Sequence, residues 1–204
     1  MDSASPNLKQ AEDDQSDLSI MQRLVAGQES ALNELMERHG QRLFHFLIRA
    51  LQNEAEAEDL AEETFVRLYQ SRHRYDPRKK FSTWLYAIAS NLARDRIRWR
   101  KRHPNVSLES EIVSEGTAFA DILPDDYNTP AQQLEEKERD FAVRRAIALL
   151  PEELRLPLLL AEYEEKRHAE IAVILDCSIK AVETRIYRAR QRLRVSLAKI
   201  LEGG

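Results

Sequence analysis

The stretch His168-Ala-Glu-Ile-Ala-Val-Ile-Leu-Asp-Cys-Ser-Ile-Lys-Ala-Val-Glu-Thr-Arg-Ile-Tyr-Arg-Ala-Arg-Gln-Arg-Leu-Arg-Val195 divides into two amphipathic helices with three residues between them. Ile171, Ile174 and Leu175 fall at i, i+3 and i+4, and Val182, Ile186, Ala189 and Leu193 recur at helical spacing, so each segment has one face to bury. The break is Asp176-Cys177-Ser178, in which Ser178 suits the N-cap of the second helix because its hydroxyl can accept from a first-turn N–H. The opposite face of that second helix carries Lys180, Glu183, Thr184, Tyr187 and Arg188, side chains able to reach base edges and phosphates. Beyond Glu183 come Arg185, Arg188, Arg190, Arg192, Arg194 and Lys199 with no acid before Glu202. A lone helix of this composition would read as a solvated basic face. The preceding helix, the short turn and the unbroken cationic run together predict a helix-turn-helix that reads duplex DNA.

Working outward, 204 residues allow one large or two small domains. Five glycines and few alternating apolar runs leave little material for hairpins, so the expected class is all-α. No apolar run approaches the roughly 20 residues a membrane span needs, and no charged-then-apolar signal opens the chain, so a cytoplasmic protein with no membrane contact of its own is expected. Cys177 is the one cysteine, which excludes an intrachain disulfide and a cysteine-cluster zinc site and leaves it as packing material. The net charge of −4 conceals segregation: −4 over residues 1–19, +5 over 20–103, −8 over 104–140 and +3 over 141–204.

Residues 1–18, rich in Asp, Ser, Gln and Asn, are expected to be a disordered acidic tail. Residues 19–103 show nearly continuous helical periodicity, with Met21, Leu24 and Val25, then Leu32, Leu35 and Met36, then Leu43, Phe46 and Leu47, and predict a helical bundle. Residues 104–131, with Pro104, Gly116, Pro124 and Pro130 among many acids, predict a flexible acidic linker. Residues 132–202 form a second small helical domain: one helix to Leu150, a break at Pro151, a helix from Glu152 to Tyr163 that Pro157 is expected to kink, then the helix-turn-helix.

A second nucleic-acid surface lies between Arg74 and Arg102. From Arg78 to Arg102 nine basic residues face one acid, Asp95. On a helix starting near Ser82, the residues Leu85, Ile88, Ala89, Leu92 and Trp99 make the apolar stripe and leave Trp84, Asn91 and Arg98 on an adjacent line beside Arg94. An aromatic platform, an amide and guanidinium groups suit splayed single-stranded bases, and the loop Asp76-Pro77-Arg78-Lys79-Lys80 can add phosphate contacts or a pocket wall. Trp84 taken alone is as readily a core residue. In a third segment, Glu54 to Tyr69, Leu60, Phe65 and Leu68 supply the buried side while Glu58, Asp59, Glu62 and Glu63 cluster on another. Carboxylates beside a DNA surface repel DNA, so this face is a candidate protein-docking site, although an ordinary solvated helix has the same look.

These three segments, in this order, resemble the extracytoplasmic-function group of bacterial RNA polymerase sigma factors, which keep only regions 2 and 4. The likeness covers residues 20–102 and 132–199. Asp59-Leu60-Ala61-Glu62-Glu63-Thr64-Phe65 is similar to the part of region 2 that docks on the coiled coil of the polymerase's largest subunit, which implies that Asp59, Leu60, Glu62, Glu63 and Phe65 bind core enzyme. Phe81 to Asn91 and Asp95-Arg-Ile-Arg98 are similar to the strand-opening, minus-10 segment. Phe81, Trp84, Asn91, Arg94, Arg98, Asp76, Lys79 and Lys80 are then the implied minus-10 set, with Asn91 and the Tyr75–Lys80 loop on a flipped non-template base and Trp84 at the upstream edge of the bubble. Leu150-Pro151-Glu152 and the helix-turn-helix are similar to region 4, which implies minus-35 contacts from Lys180, Ala181, Glu183, Thr184, Arg185, Tyr187 and Arg188.

The resemblance further implies a monomer that directs promoter-specific initiation with core RNA polymerase, also touching its flap region, on promoter DNA. It implies control by an anti-sigma factor, which could hold the protein at the membrane, and a linker that threads toward the active centre. Two departures stand out. Trp84 is followed by Leu85, where primary sigma factors have two neighbouring aromatics, which implies a weaker wedge and dependence on a well-matched promoter. Lys180-Ala-Val-Glu-Thr-Arg185 stands where many relatives have Gly-Thr-Val-Lys/Arg-Ser-Arg, and a glutamate there can accept from a cytosine N4 amine, which implies an unusual minus-35 preference.

A free-standing helix-turn-helix repressor, dimeric on a palindrome, would not need the aromatic-amide-cation helix or the acidic face. An enzyme such as a nuclease is disfavoured because His39, His45, His73, His103 and His168 form no metal-ligand cluster in sequence, and no phosphate-cradling glycine loop or nucleophile elbow is present. No catalytic residue, metal or cofactor is therefore assigned.

Overall fold

A computed structural model of the chain describes residues 6–103 and 141–202, all of them helical or in the turns that join helices. The N-terminal unit contains α1 (Pro6–Val25), α2 (Ser30–Leu51), α3 (Glu54–Gln70), a single 3-10 turn (Arg72–Arg74) and α4 (Phe81–Arg102). The C-terminal unit contains α5, described over residues 141–148, then α6 (Glu152–Glu162), α7 (His168–Ile174) and α8 (Ile179–Glu202). The all-α expectation holds. The linker 104–131 and residues 132–140 of the expected C-terminal domain lie outside the described residues.

Local chemistry sets the helix boundaries. Gly27, at φ 97°, makes the turn between α1 and α2 in a backbone region that side chains disfavour. Gln52, at φ 57°, ends α2, and the next residue, Asn53, caps α3 by accepting from the Glu56 N–H at 2.9 Å. Ser178 accepts from the Ala181 N–H at 3.1 Å, the cap expected for α8, and Asp176 takes the left-handed conformation, φ 49°, that the tight turn requires. α6 runs unbroken through Pro157; the carbonyl that this proline cannot bond belongs to Glu153, an exposed residue whose oxygen water can serve.

Apolar stripes from both units merge into one core. Leu35, Leu43, Phe46 and Leu47 of α2 meet Leu85 and Ala89 of α4, and Leu156, Leu159, Ile171, Val182 and Ile186 continue the cluster through the second unit. Arg155 stitches the join, donating to the Ala50 carbonyl of α2 at 2.7 Å and to the Ala148 and Leu150 carbonyls at 2.7 and 2.8 Å.

Two expectations need correction. Over residues 6–18 the expected disordered tail is helical: α1 begins at Pro6, and Asp17 is 2 % exposed with its carboxylate 2.9 Å from His39 Nε2 and 3.5 Å from Arg38. Composition suggested solvation, but the tail's acids meet cations of the bundle, as Asp14 also does at Lys80, 2.9 Å away. The apolar stripe of α4 also differs at its end. Leu85, Ala89 and Leu92 are buried, but Trp99 is 40 % exposed and stacks on His103 at 4.8 Å, while Ile97 takes the core position.

Candidate nucleic-acid interface

α8 presents the expected face. Val182, Ile186 and Ala189 are buried, which turns Lys180, Glu183, Thr184, Tyr187 and Arg188 to solvent and leaves Ala181 and Arg185 half-buried at its edge. Tyr187, 65 % exposed, is a large aromatic standing free on this face. The Thr184 hydroxyl donates to the Lys180 carbonyl at 2.8 Å, which fixes its rotamer, and Glu183 lies 3.9 Å from His168 Nδ1 at the start of α7. Arg190 is drawn away, donating twice to Glu162 at 2.6 and 3.1 Å.

On α4 the Trp84, Asn91 and Arg98 line falls on the border between core and solvent. Trp84 is half-buried, its ring 5.3 Å from Tyr75, so it is neither a core residue nor a free platform. Burial first, then the Asp17, Asp14 and Asp76 carboxylates, push the Tyr75 hydroxyl up to about 12, so it stays a donor, and it donates to the Lys79 carbonyl at 2.8 Å. The Asp76–Lys80 loop is tightly folded: Asp76 accepts from the Arg78 N–H at 3.1 Å and from its guanidinium at 2.9 Å, which holds the Asp76 carboxyl below its usual range. Asn91 is exposed, with its amide oxygen accepting from Arg94. Phe81 is a correction. It is 1 % exposed, packed on His39 at 5.1 Å and on Tyr75, and braces the loop from beneath rather than touching a base.

α3 turns Glu58, Asp59 and Glu62 to solvent, while Glu63 pairs with Arg67 at 2.7 Å. Leu60 and Phe65, at 5 % and 4 % exposure, lie under this face and hold it in place, so of the expected docking residues Asp59 and Glu62 are the ones turned outward. Glu56 leaves the acidic face altogether, reaching Arg96 and Arg100 at 3.4 Å each.

One cluster had no counterpart in the sequence reading. Between α6 and α7, Glu164 is 2 % exposed, accepts from Arg42 Nε at 2.8 Å and from the Tyr86 hydroxyl, and so joins α2, α4 and the second unit. Burial, then the neighbouring Glu164 charge, raises the Tyr86 hydroxyl well above its ordinary value. Beside it Lys166 donates to Ser82 Oγ at 2.8 Å, and burial lowers its ammonium pKa. A Glu-Glu-Lys run in a helix break carries no periodic signal, so only the fold reveals that its first member is buried. Among the described residues no group of His, Cys, Asp and Glu could hold a metal ion, and no helix is long and apolar enough to cross a membrane.

The sigma-70 region 2 family matches residues 35–103, and the sigma-70 region 4 family matches residues 140–193. The chain is 34 % identical over 179 residues to the ECF RNA polymerase sigma factor SigW of Bacillus subtilis, an alignment covering 87 % of this chain and 94 % of that one. It is 29 % identical to the RNA polymerase sigma-H factor of Pseudomonas aeruginosa, over 91 % and 95 % of the two chains. Among solved structures, CnrH in complex with the cytosolic domain of CnrY superposes with a TM-score of 0.63 at 24 % identity, over 89 % of this chain and 97 % of that one. The sigma factor RpoE in complex with the anti-sigma factor NepR from Bartonella quintana superposes at 0.62 and 23 % identity, over 81 % and 96 %; both likenesses concern the fold.

Proposed function

The chain belongs to the extracytoplasmic-function group of sigma-70 factors, with regions 2 and 4, and is an alternative sigma factor for promoter-specific transcription initiation; from that premise we propose how its surfaces divide the work. The observation that carries the division is the separation of three charged faces: cationic ones on α4 and α8, and the exposed Glu58, Asp59 and Glu62 on α3.

In this reading α8 enters the major groove of the minus-35 element. Lys180, Arg185 and Arg188 supply phosphate contacts and register, and Glu183, Thr184 and Tyr187 face base edges, with Ala181 admitting close approach. The α4 face takes the minus-10 non-template strand: Asn91, Arg94 and Arg98 line its path, the loop Asp76, Lys79 and Lys80 forms a pocket wall, and Trp84 abuts the upstream edge with Tyr75 behind it. Unstacking a base costs a few kcal/mol, and a single half-buried tryptophan recovers less of that than two aromatics would, so opening relies on the quality of the minus-10 match. The protein performs no bond chemistry here; it selects and stabilises the opened DNA for the polymerase.

The acidic face of α3 is the proposed dock for core RNA polymerase, where its carboxylates meet a cationic partner surface and exclude DNA from the same helix. Residues 19–103 and 132–202 are assigned to the region 2 and region 4 functions, residues 6–18 of α1 being an addition to the former and 104–131 a connection between them. The solved structure of RpoE is a complex with the anti-sigma factor NepR, and we assign this chain a partner of that kind. The dock is tested by gel-filtration of the full chain with bacterial core polymerase. Co-elution that Asp59→Lys with Glu62→Lys abolishes supports it; co-elution unchanged by the double variant removes α3 as the dock.

A further inference from the structure

α1 reaches the loop that leads into α4 at two points. Asp14 stands 2.9 Å from the Nζ of Lys80, the residue just before α4, nearer than Glu170 at 3.5 Å. Three residues further along α1, and so on the same face, Asp17 lies 2.9 Å from His39 Nε2, and that imidazole packs on the Phe81 ring at 5.1 Å. From Phe81 the ring contacts continue to Tyr75 at 6.4 Å, edge-on, and from Tyr75 to Trp84 at 5.3 Å. A buried carboxylate of α1 is thus connected through His39, Phe81 and Tyr75 to the tryptophan assigned to the bubble edge. None of Asp14, Asp17 and His39 belongs to a segment that residue spacing assigns to DNA.

We propose that Asp14, Asp17 and His39 are positioning residues for minus-10 recognition, fixing the Lys80–Phe81 junction, and through it Tyr75 and Trp84, in the geometry that receives the flipped base. This rests on the reading of the loop and α4 as the minus-10 surface. Bonds inside the loop give it shape but not place: Asp76 accepts from Arg78, and the Tyr75 hydroxyl donates to the Lys79 carbonyl. Place is set where the loop meets α4, and there the outside contacts from α1 act. The Asp17 anchor is stiff, because its carboxylate is 2 % exposed and is compensated only while His39 and Arg38 stay beside it. The Asp14 contact with Lys80 is part-exposed and weaker, and it holds the junction from the other side. A pocket wall left mobile must be ordered when a base enters, and that cost falls chiefly on the matched base, which makes the most contacts with it. Loosening the anchor therefore lowers discrimination between bases more than it lowers general affinity for a strand.

Two arms test this. The first uses the full chain alone, carrying Trp99→Phe so that Trp84 is its one tryptophan. His39→Gln, whose amide can still bond to Asp17 but which takes the ring away from Phe81, should move Trp84 emission to longer wavelength and raise its quenching by acrylamide at unchanged helicity. The second arm uses holoenzyme assembled from bacterial core RNA polymerase and the full chain, with the non-template minus-10 strand of a promoter recovered by run-off transcription, and compares its affinity with those of its single-base mismatches. His39→Gln and Asp14→Ala should each lower the matched-to-mismatched ratio about three-fold, the scale of a ring contact or a part-exposed ion pair, and Asp14→Glu should restore it. Asp14 and Lys80 are part-exposed, so Asp14→Ala keeps the fold intact even where His39→Gln weakens it. Asp13→Ala, an equal charge change on the same helix whose carboxylate meets Arg38 at 3.3 Å and not the loop, should leave the ratio unchanged. Unmoved Trp84 emission in His39→Gln overturns the proposal without involving polymerase or DNA. So does a ratio unchanged in His39→Gln and Asp14→Ala while Asn91→Ala still lowers it, and so does an equal loss for matched and mismatched strands, which would mean that α1 only holds the bundle together. If Asn91→Ala leaves the ratio unchanged as well, the minus-10 reading itself falls, and this inference with it.

Discussion

Replacing Arg155 with methionine keeps the aliphatic stem and deletes the guanidinium that serves three backbone carbonyls, those of Ala50, Ala148 and Leu150. Each is near a helix C-terminus, where the carbonyls lack intrahelical partners and where a cation also opposes the helix dipole. A hydrogen bond to a charged donor contributes roughly 1.5–3 kcal/mol, but this side chain is half-buried and water can reach part of what it leaves, so about 1 kcal/mol per carbonyl is the appropriate figure. Burial, then the neighbouring Arg100 charge, lowers the Arg155 pKa, so the guanidinium carries a cost that its removal recovers in part. The expected net loss is about 2 kcal/mol. At roughly 2–4 °C per kcal/mol for a chain of this size, Tm should fall by about 4–8 °C in a calorimetric melt. A fall of less than about 2 °C would show that the carbonyls are equally well served by water, and the account of how the two units are joined would be wrong.

Asn53→Ala removes the side-chain cap of α3 and should cost about 1 kcal/mol in urea unfolding with an unchanged m-value. Gly27→Ala puts a Cβ at φ 97° and should destabilise by about 1 kcal/mol or more, even though open space surrounds that position, because the strain is in the backbone. Glu183→Arg should change the minus-35 sequence recovered by selection from random duplexes, chiefly at a single base pair; recovery of the same sequence would mean that the residue reads no base. Neutralising Asp125, Asp126, Glu135 and Glu136, which lie outside the described residues, should alter the ratio of abortive to full-length transcripts, and an unchanged ratio would remove the linker from early synthesis.

What could be read from the sequence was what depends on neighbours in the chain. The spacing of Ile171, Ile174, Leu175, Val182, Ile186 and Ala189 gave both helices of the DNA-reading motif, and Ser178 gave the cap between them, because period and capping act within one or two turns. The errors arose where a distant residue decided the outcome. Trp99 fits the apolar stripe of α4 by spacing, yet Ile97 takes the core position and Arg100 turns inward to the Leu51 carbonyl at 2.9 Å, which leaves Trp99 facing outward. Asp13, Asp14 and Asp17 look solvated until the cations of α2 and the Lys80 loop are placed opposite them. Phe81, Leu60 and Phe65 belong to functional motifs by sequence and to the core by burial, so motif membership and surface contact are separate properties. Glu164, whose partners Arg42 and Tyr86 are 122 and 78 residues away, left no local signal at all.

The central claim is that two DNA-reading faces act through polymerase, and run-off transcription on a library of genomic fragments, using bacterial core RNA polymerase with and without this chain, tests it most directly. The account predicts start sites that require both components, share a two-part promoter sequence and weaken when Asp59 or Glu62 is changed to Lys. Sequence-specific duplex binding by the chain alone, with no start site gained by adding polymerase, would contradict it.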